Sequence, residues 1–406
     1  MQSMLIIGIV VFVGFVFGEL ATRFRLPKVT GYLMAGIVLN PAILPVIPVD
    51  FVNHTGLITN VALSFITFSV GGTLLLARLK KLGKGIIYMT LFEAEFAFLA
   101  VVVSFMLLVP FLIRVSGATW LATFLPMSVL IGSLASPTDP TATLAVTHEY
   151  KAKGDVSTTI MGIAASDDAL GIINYSLAVT IARTLILRQG FSIYSSVLSP
   201  VLIILGSVIL GMVAGSAFNF LTSFMKKESE GAYIVVIIAL LSLCFGIAKI
   251  ISVDELLSTM VMGIWVVNFN PQRGLIFRML ERYTEELIFV LFFTVSGMHL
   301  KFSVLITAYT LIMVFALFRF LGKFSGTLIG AHLANSPSTV KKYTVGGLLP
   351  QGGIVIGLAL MMKQIPAFDS ISDIIISVII GATVIHELVG PIVAKYALRK
   401  AGEIGA

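Results

Sequence analysis

Apolar stretches of about twenty residues recur along the whole chain, and this pattern constrains the fold more than any other feature. Of the 406 residues, 58% are hydrophobic and only 12% are charged. A soluble domain cannot bury so much apolar surface. Within a bilayer, a continuous apolar run of this length satisfies its backbone N–H and C=O groups by forming a helix. The sequence therefore predicts an all-α polytopic membrane protein and excludes a soluble domain. The single Cys244 also excludes a disulfide framework.

Hydropathy predicts about thirteen transmembrane helices, joined by short loops. No segment between them is long enough for a soluble regulatory domain, so residues 1–406 are expected to form one transmembrane domain. The predicted spans are 4–22, 28–47, 56–78, 85–112, 118–147, 156–182, 193–225, 231–250, 255–269, 283–300, 303–331, 341–362 and 371–395.

The basic residues alternate between the two sides of this topology. With the N-terminus outside, the cytoplasmic loops and C-terminal tail hold 19 Lys and Arg residues, against 6 in the outer loops. Cytoplasmic loops carry an excess of Lys and Arg in membrane proteins. The sequence therefore predicts an outside N-terminus and a cytoplasmic C-terminus, as expected for a prokaryotic inner membrane.

Two short sequences recur seven spans apart. "MAGIVLN" (34–40) is echoed by "VMGIWVVN" (261–268), and "FSVGG" (68–72) by "FTVSG" (293–297). Because seven is odd, the partners cross the bilayer in opposite directions, which is typical of inverted repeats in secondary transporters. We expect approximate repeats over 28–182 and 255–395.

The repeat predicts a matched pair of broken helices in spans five and twelve. Span five carries "SPTDPT" (136–141), with Pro137 and Pro140, and span twelve carries "LPQGG" (349–353), with Pro350, Gln351 and Gly352. Proline removes a backbone donor and interrupts a helix. Unwound backbone at membrane depth is tolerated where it is buried in protein or lines a cavity.

The run "GIAASDDALGI" places Asp167 and Asp168 together in the sixth, apolar span. Adjacent helix residues point about 100° apart, so we expect one to face a cavity and the other to meet a partner. Arg319 and Lys323 lie inside the eleventh span, four residues apart and so on one face. An intramembrane cation usually pairs with an acid, so Asp167 is expected to pair with either Lys323 or Arg319.

Asp168 is then the expected ion-binding carboxylate, with Ser136, Thr138 and Asp139 nearby in the break of span five. Asp139 either stabilises a helix N-terminus there or contacts the cation. A proton and a monovalent cation would compete for the Asp168 carboxylate, and that competition yields cation/proton exchange by alternating access without an enzyme's covalent chemistry or a cofactor. A cation channel, a sensor and an intramembrane aspartyl protease remain alternatives, although a protease needs opposed acids from different helices.

Several motifs resemble the cation/proton antiporter superfamily, specifically its NapA-type and Kef-type branch. They are "GYLMAGIVLNP", "SPTDPTATLAVTHEYKAKG", "ASDDALGI", "FFTVSGMHLKFS" and "HELVGPIVAKYALRKAGE", and together they cover almost the whole chain. The resemblance implies two broken, crossing helices, ion binding by Asp168, and a basic partner of Asp167 in span eleven. It also implies a homodimer in the lipid bilayer.

The resemblance leaves the transported ion open. The Asp-Asp pair resembles electrogenic sodium/proton exchangers, which favours Na⁺ or Li⁺, whereas Gln351 resembles the Kef-type potassium/proton antiporters. Glu93 and Glu95, in span four, point to opposite faces, and the sequence assigns no role to them. His386 and Glu387 in span thirteen are expected to form structural hydrogen bonds.

Overall fold

The computed structural model describes residues 3–24, 26–77, 83–113, 119–139, 143, 146–147, 150, 152–187, 198–225 and 230–404. These residues form helices and contain no strand. The main helices are α1 (Ser3–Arg23), α2 (Lys28–Val38), α3 (Gly56–Thr73), α4 (Gly83–Leu112), α5 (Leu125–Ser133), α6 (Asp155–Ala164), α7 (Asp167–Ile186), α8 (Ser199–Ser223), α9 (Glu230–Ile251), α10 (Glu255–Phe269), α11 (Arg273–Tyr283), α12 (Glu285–Met298), α13 (Phe302–Leu333), α14 (Gly353–Lys363) and α15 (Asp369–Lys400). Shorter helical segments are Val49–Asn53, Trp120–Phe124, Ser338–Tyr343, Thr344–Gly347 and Pro366–Phe368.

The all-helical membrane fold is confirmed, and each predicted span contains at least one helix. Within the described residues, eight helical segments are long and apolar enough to cross a membrane. Five further apolar helices have 10–17 residues, including those in predicted spans two, five and twelve. The count of thirteen crossings therefore stays a prediction.

The chain divides into two compact units. Unit 1 comprises Met1–Thr55, Leu82–Gln189 and Phe293–Ala406, and unit 2 comprises Gly56–Lys81 and Gly190–Phe292. All residues of the predicted ion site belong to unit 1.

Within unit 1, glycines bring α2 and α12 into backbone contact. A Cβ on Gly36 would collide with the backbone of α12, and a Cβ on Gly297 would collide with the backbone of α2. At the end of this contact the Asn40 amide donates to the carbonyls of Met298, at 2.9 Å, and Leu300, at 2.8 Å. These carbonyls lack helical partners because α12 ends there.

Unit 2 contains the same arrangement between α3 and α10. A Cβ on Gly71 or Gly263 would collide with the backbone of the other helix. The Asn268 amide donates to the Leu74 carbonyl at 3.0 Å and accepts from the Leu76 amide at 2.8 Å. The residues of the two sequence echoes thus make equivalent helix contacts in the two units.

A third set of glycines packs α13 against α4. A Cβ on Gly322, Gly326 or Gly330 would collide with the backbone of α4, near Ala97, Glu93 and Met89 respectively. Small residues at four-residue spacing allow such close approach of membrane helices. This packing places Glu93 directly beside the face of α13 that carries its two cations.

Candidate ion-binding site

The fifth predicted span is interrupted as the prolines indicate. Helix α5 ends at Ser133, and residues 137–139 are not helical. Ser136, Thr138 and Asp139 are all buried in this segment. Pro140 lies outside the described residues.

The twelfth span is interrupted at the matching place. Residues 349–352 are not helical, and α14 begins at Gly353. The Asp139 amide donates to the Pro350 carbonyl at 3.1 Å, so the two unwound segments meet. A Cβ on Gly352 would lie 2.9 Å from that of Asp139, so this crossing requires glycine.

Arg319 binds both unwound segments at once. Its guanidinium donates to the carbonyls of Ala135 (2.9 Å), Pro137 (2.8 Å), Leu349 (2.7 Å) and Pro350 (3.4 Å). The side chain is fully buried. Unwinding frees carbonyls that a buried segment must satisfy, and a planar fork with five donors suits that task.

Lys323, one turn further along α13, contacts both backbone and acids. Its ammonium donates to the Ser136 carbonyl at 2.6 Å and to the Thr138 hydroxyl at 2.9 Å. It also forms an ion pair with Glu93 and lies 3.7 Å from Asp167. The ammonium is fully buried and is shared between two carboxylates.

The acidic pair occupies a helix N-terminus. Residues 165–166 form a turn that separates α6 from α7, so Asp167 and Asp168 are the first two residues of α7. Carboxylates are stabilised at that end of a helix by its free N–H groups. The sequence pattern gave no indication of this turn.

Asp167 and Asp168 have different surroundings. Asp167 is fully buried and accepts a hydrogen bond from the Thr138 hydroxyl, which itself accepts one from Lys323. Asp168 is partly exposed, and within the described residues no hydrogen bond reaches its carboxylate. Gly171, one turn later, packs against Pro137 and holds this end of α7 against the break.

Several buried oxygens around this point lack partners within the described residues. They are the Ser136 hydroxyl, one oxygen of Asp167 and one oxygen of Glu93. The Ser136 hydroxyl lies against α7, because a Cβ on Gly171 would be 3.3 Å from it. Buried polar atoms usually have a partner, so oxygens without one are available to a water molecule, a proton or an ion.

Gln351 connects the two breaks to the last helix. Its amide donates to the Leu134 carbonyl at 2.9 Å, and its oxygen lies 2.8 Å from Nδ1 of His386. The hydrogen bond expected for His386 is therefore present in the structure. Glu387 is also fully buried, but neither of its side-chain oxygens has a hydrogen-bond partner within the described residues.

The structure thus brings Ser136, Thr138, Asp167 and Lys323 together. Arg319 is the other partner that the sequence predicts for Asp167, but it has a different role. Within the described residues its hydrogen bonds all go to backbone carbonyls. Sequence reasoning missed Glu93 as the ion-pair partner of Lys323. The four-residue spacing of Gly322, Gly326 and Gly330 was the available signal, because it indicates a helix packed against that face.

Glu95 faces elsewhere than Glu93. It accepts a hydrogen bond from the Asn174 amide, at 3.2 Å, two turns beyond the acidic pair on α7. The two glutamates therefore contact different helices, as their two-residue separation predicts.

Comparisons with known proteins agree with this architecture. A family model described as the transmembrane sodium/hydrogen exchanger matches residues 7–400. The structure of the sodium proton antiporter MjNhaP1 from Methanocaldococcus jannaschii at pH 8 has a TM-score of 0.76 at 17% identity, over 97% of each chain. An electron-microscopy structure of MjNhaP1 from the same organism has a TM-score of 0.71 at 18% identity, over 100% of each chain. A comparison with curated protein sequences gives no match.

Proposed function

Because the chain belongs to the sodium/hydrogen exchanger family, we propose that it exchanges a monovalent cation for protons, with the two competing for the carboxylate of Asp168. Family membership places the chain among transporters, which favours exchange over the channel, sensor and protease alternatives. Three points go beyond family membership: which residues carry the ion, which ion is carried, and whether net charge moves.

The observation that carries the proposal is the contrast between the two neighbouring acids. Asp167 is committed to Thr138 and Lys323, whereas Asp168 is partly exposed, and nearby buried oxygens have no partner within the described residues. Sodium and lithium bind oxygen ligands, and we propose that Asp168, the Ser136 hydroxyl and the second Asp167 oxygen provide such a set. Thr138 acts mainly through Asp167, because its hydroxyl already accepts from Lys323 and donates to Asp167. We assign Asp139 to the crossing of the breaks, where its backbone amide binds Pro350.

Competition at one carboxylate is sufficient for coupling. If the protein changes its facing direction only with Asp168 occupied by a proton or by a cation, each cation moved one way is matched by proton movement the other way. Broken helices meeting at one point are the arrangement in which transporters hold such a site. The Arg319 fork keeps the two segments together without supplying a charge to Asp168 itself.

We favour Na⁺ and Li⁺ over K⁺, and electrogenic over electroneutral exchange. The support is the pair of adjacent acids, Asp167 and Asp168. Asp167 forms an ion pair with Lys323, and a change in proton occupancy can open or close that ion pair. Potassium exchange of the Kef type is the runner-up, because the "PQGG" run that contains Gln351 resembles the Kef-type antiporters. A homodimer in a prokaryotic inner membrane, with its N-terminus outside, belongs to the same proposal.

Cation-induced proton release from proteoliposomes tests the proposal. Liposomes with an acidic interior are loaded with a pH-sensitive dye, and sodium, lithium and potassium are added with the membrane potential clamped or free. We expect sodium or lithium to release protons, and clamping to change the rate. Release by potassium alone would overturn the ion assignment, and release by no cation would overturn the exchange function.

Asp168→Asn is the decisive variant and Asp369→Asn the matched control, since Asp369 is an exposed residue at the start of α15. Asp168→Asn should abolish proton release while the purified protein remains monodisperse. Unchanged exchange by a folded Asp168→Asn variant would contradict the assignment.

A further inference from the structure

The C-terminal segment after α15 reaches back to the start of α6. The carboxylate of Glu403 accepts hydrogen bonds from the amides of Val156, at 2.6 Å, and Ser157, at 2.9 Å. Both belong to the first turn of α6, and the partners are about 250 residues apart in sequence. The amides at a helix N-terminus have no intrahelical acceptor, so this carboxylate satisfies two of them.

Local sequence explains how Glu403 reaches that position. Gly402 has φ of +76°, its amide donates to the Arg399 carbonyl, and the Glu403 amide donates to the Leu398 carbonyl. This pair of bonds is the Schellman ending of a helix, for which glycine is the preferred residue at the left-handed position. It turns the chain sharply at the end of α15 and directs Glu403 away from that helix.

The surface that receives Glu403 is shaped for it. A Cβ on Gly154 would lie 2.3 Å from Oε1 of Glu403, so glycine at this position leaves room for the carboxylate. The next residue of the tail, Ile404, is buried in an apolar cluster with Val156 and Ile160 of α6. A polar contact and an apolar contact thus hold the tail at one place.

Helix α6 connects this contact to the acidic pair. It ends at Ala164, and only the turn at residues 165–166 separates it from Asp167. The amide of Ala165 donates to Met161 and that of Ser166 to Ile163, so the turn is hydrogen-bonded back to α6. A shift at the first turn of α6 would therefore reach Asp167 and Asp168 through a short helix and a hydrogen-bonded turn.

We propose that Glu403 is a positioning residue for the ion-binding pair, fixing the cytoplasmic end of α6 and through it the placement of Asp167 and Asp168. This inference rests on the proposed exchange function. It assigns to the tail a role in tuning cation binding, and it makes Glu403 the point at which a cytoplasmic factor that displaces the tail would alter exchange.

The test compares Glu403→Ala, Glu403→Gln and Glu403→Asp with Glu281→Gln, an exposed glutamate of unit 2. Hydrogen/deuterium exchange over residues 155–166 reports the contact without requiring transport. We expect faster amide exchange in Glu403→Ala. The half-saturating sodium concentration should change by about two- to fivefold, which is the range set by a charge at a helix terminus. The pH profile of cation exchange should also be displaced. Glu403→Asp should recover part of both effects, and Glu281→Gln should show neither.

Faster amide exchange in Glu403→Ala with an unchanged pH profile and sodium dependence would overturn the positioning role and leave a merely structural contact. An unchanged amide exchange would overturn the contact itself. If the unaltered protein exchanges no cation, the proposed function and this inference both fail. If the unaltered protein exchanges cations, the Glu403 variants test this inference alone.

Discussion

The ammonium of Lys323 lies 3.7 Å from the carboxylate of Asp167, and the Thr138 hydroxyl bridges the same two groups. The ammonium is also the ion-pair partner of Glu93. One buried cation thus balances two buried acids, which leaves Asp168 without a cation of its own among the described residues. The consequences of this sharing can be measured.

Removing Lys323 should destabilise the protein strongly. Lys323→Gln leaves two buried carboxylates without a cation, and breaking a buried pair in this way costs about 3–5 kcal/mol. The double variant Glu93→Gln/Lys323→Gln should recover much of that loss, because one of the two acids is then neutral. Melting temperatures of the detergent-purified variants report both effects, and a double variant no more stable than Lys323→Gln would contradict the shared ion pair.

Arg319→Lys should loosen the crossing of the two breaks. An ammonium has three donors in place of the guanidinium fork, so carbonyls of the unwound segments lose partners, at about 1–3 kcal/mol for each buried group left unsatisfied. We expect a lower melting temperature and slower exchange. Arg278→Lys, at an exposed arginine of α11, is the control. Equal melting temperatures for the two variants would exclude the clamping role of Arg319.

Gly326→Leu should separate α4 from α13. The added side chain has no space, since even a Cβ would collide with the α4 backbone at Phe92 and Glu93. The contact between Glu93 and Lys323 would then be lost, with reduced stability and exchange. Gly246→Leu, in α9, is the matched control because a Cβ at that position would have no other atom within 4 Å among the described residues. If both variants melt and transport alike, close packing at Gly326 is unimportant for the site.

Acidification should destabilise the protein partly through His299, in the connection between α12 and α13. Burial and then the nearby Lys363 lower the pKa of His299 to about 4, with Lys301 acting in the same direction and Asp373 opposing them. The unfolded chain therefore binds a proton between about pH 6.5 and 4 that the folded protein does not, so stability falls as the pH falls through that window.

His299→Gln removes this titration and can retain a hydrogen bond to Thr55, which His299 contacts at 3.0 Å. Between about pH 7.5 and 5 the variant should lose about 1–2 kcal/mol less stability than the unaltered protein. Melting temperatures at the two pH values provide the measurement. Identical acid sensitivity of the two proteins would count against a partly buried, neutral His299.

The fold was accessible from sequence because its strongest signals are local. Apolar runs of about twenty residues predict spans, and the prolines at 137 and 350 predict the interruptions that the structure contains. The echoes around Gly36 and Gly263 correspond to equivalent helix contacts in the two units. The lengths of the helices do not fix the number of membrane crossings. Short helices such as α5 and α14 are each half of a broken helix, and half a helix does not reach spanning length.

The site was less accessible because it depends on contacts between distant residues. Asp167 was predicted to meet a cation of span eleven, but spacing alone did not separate Lys323 from Arg319. The difference arises from the unwound carbonyls, which take up the hydrogen bonds of Arg319. Sequence spacing does not predict the role of Glu93 because its partner is on another helix. The turn before Asp167 is not predicted because neither a proline nor a glycine pair marks residues 165–166.

Competition between a proton and a cation for Asp168 is tested most directly by the pH dependence of the half-saturating sodium concentration. It is measured in proteoliposomes with the membrane potential clamped, at a series of pH values and up to saturating sodium at each. Simple competition predicts a half-saturating concentration that rises about tenfold for each unit of acidification on the acidic limb, with an unchanged maximal rate. A half-saturating concentration that does not vary with pH, while the maximal rate does, would contradict competition at a single carboxylate.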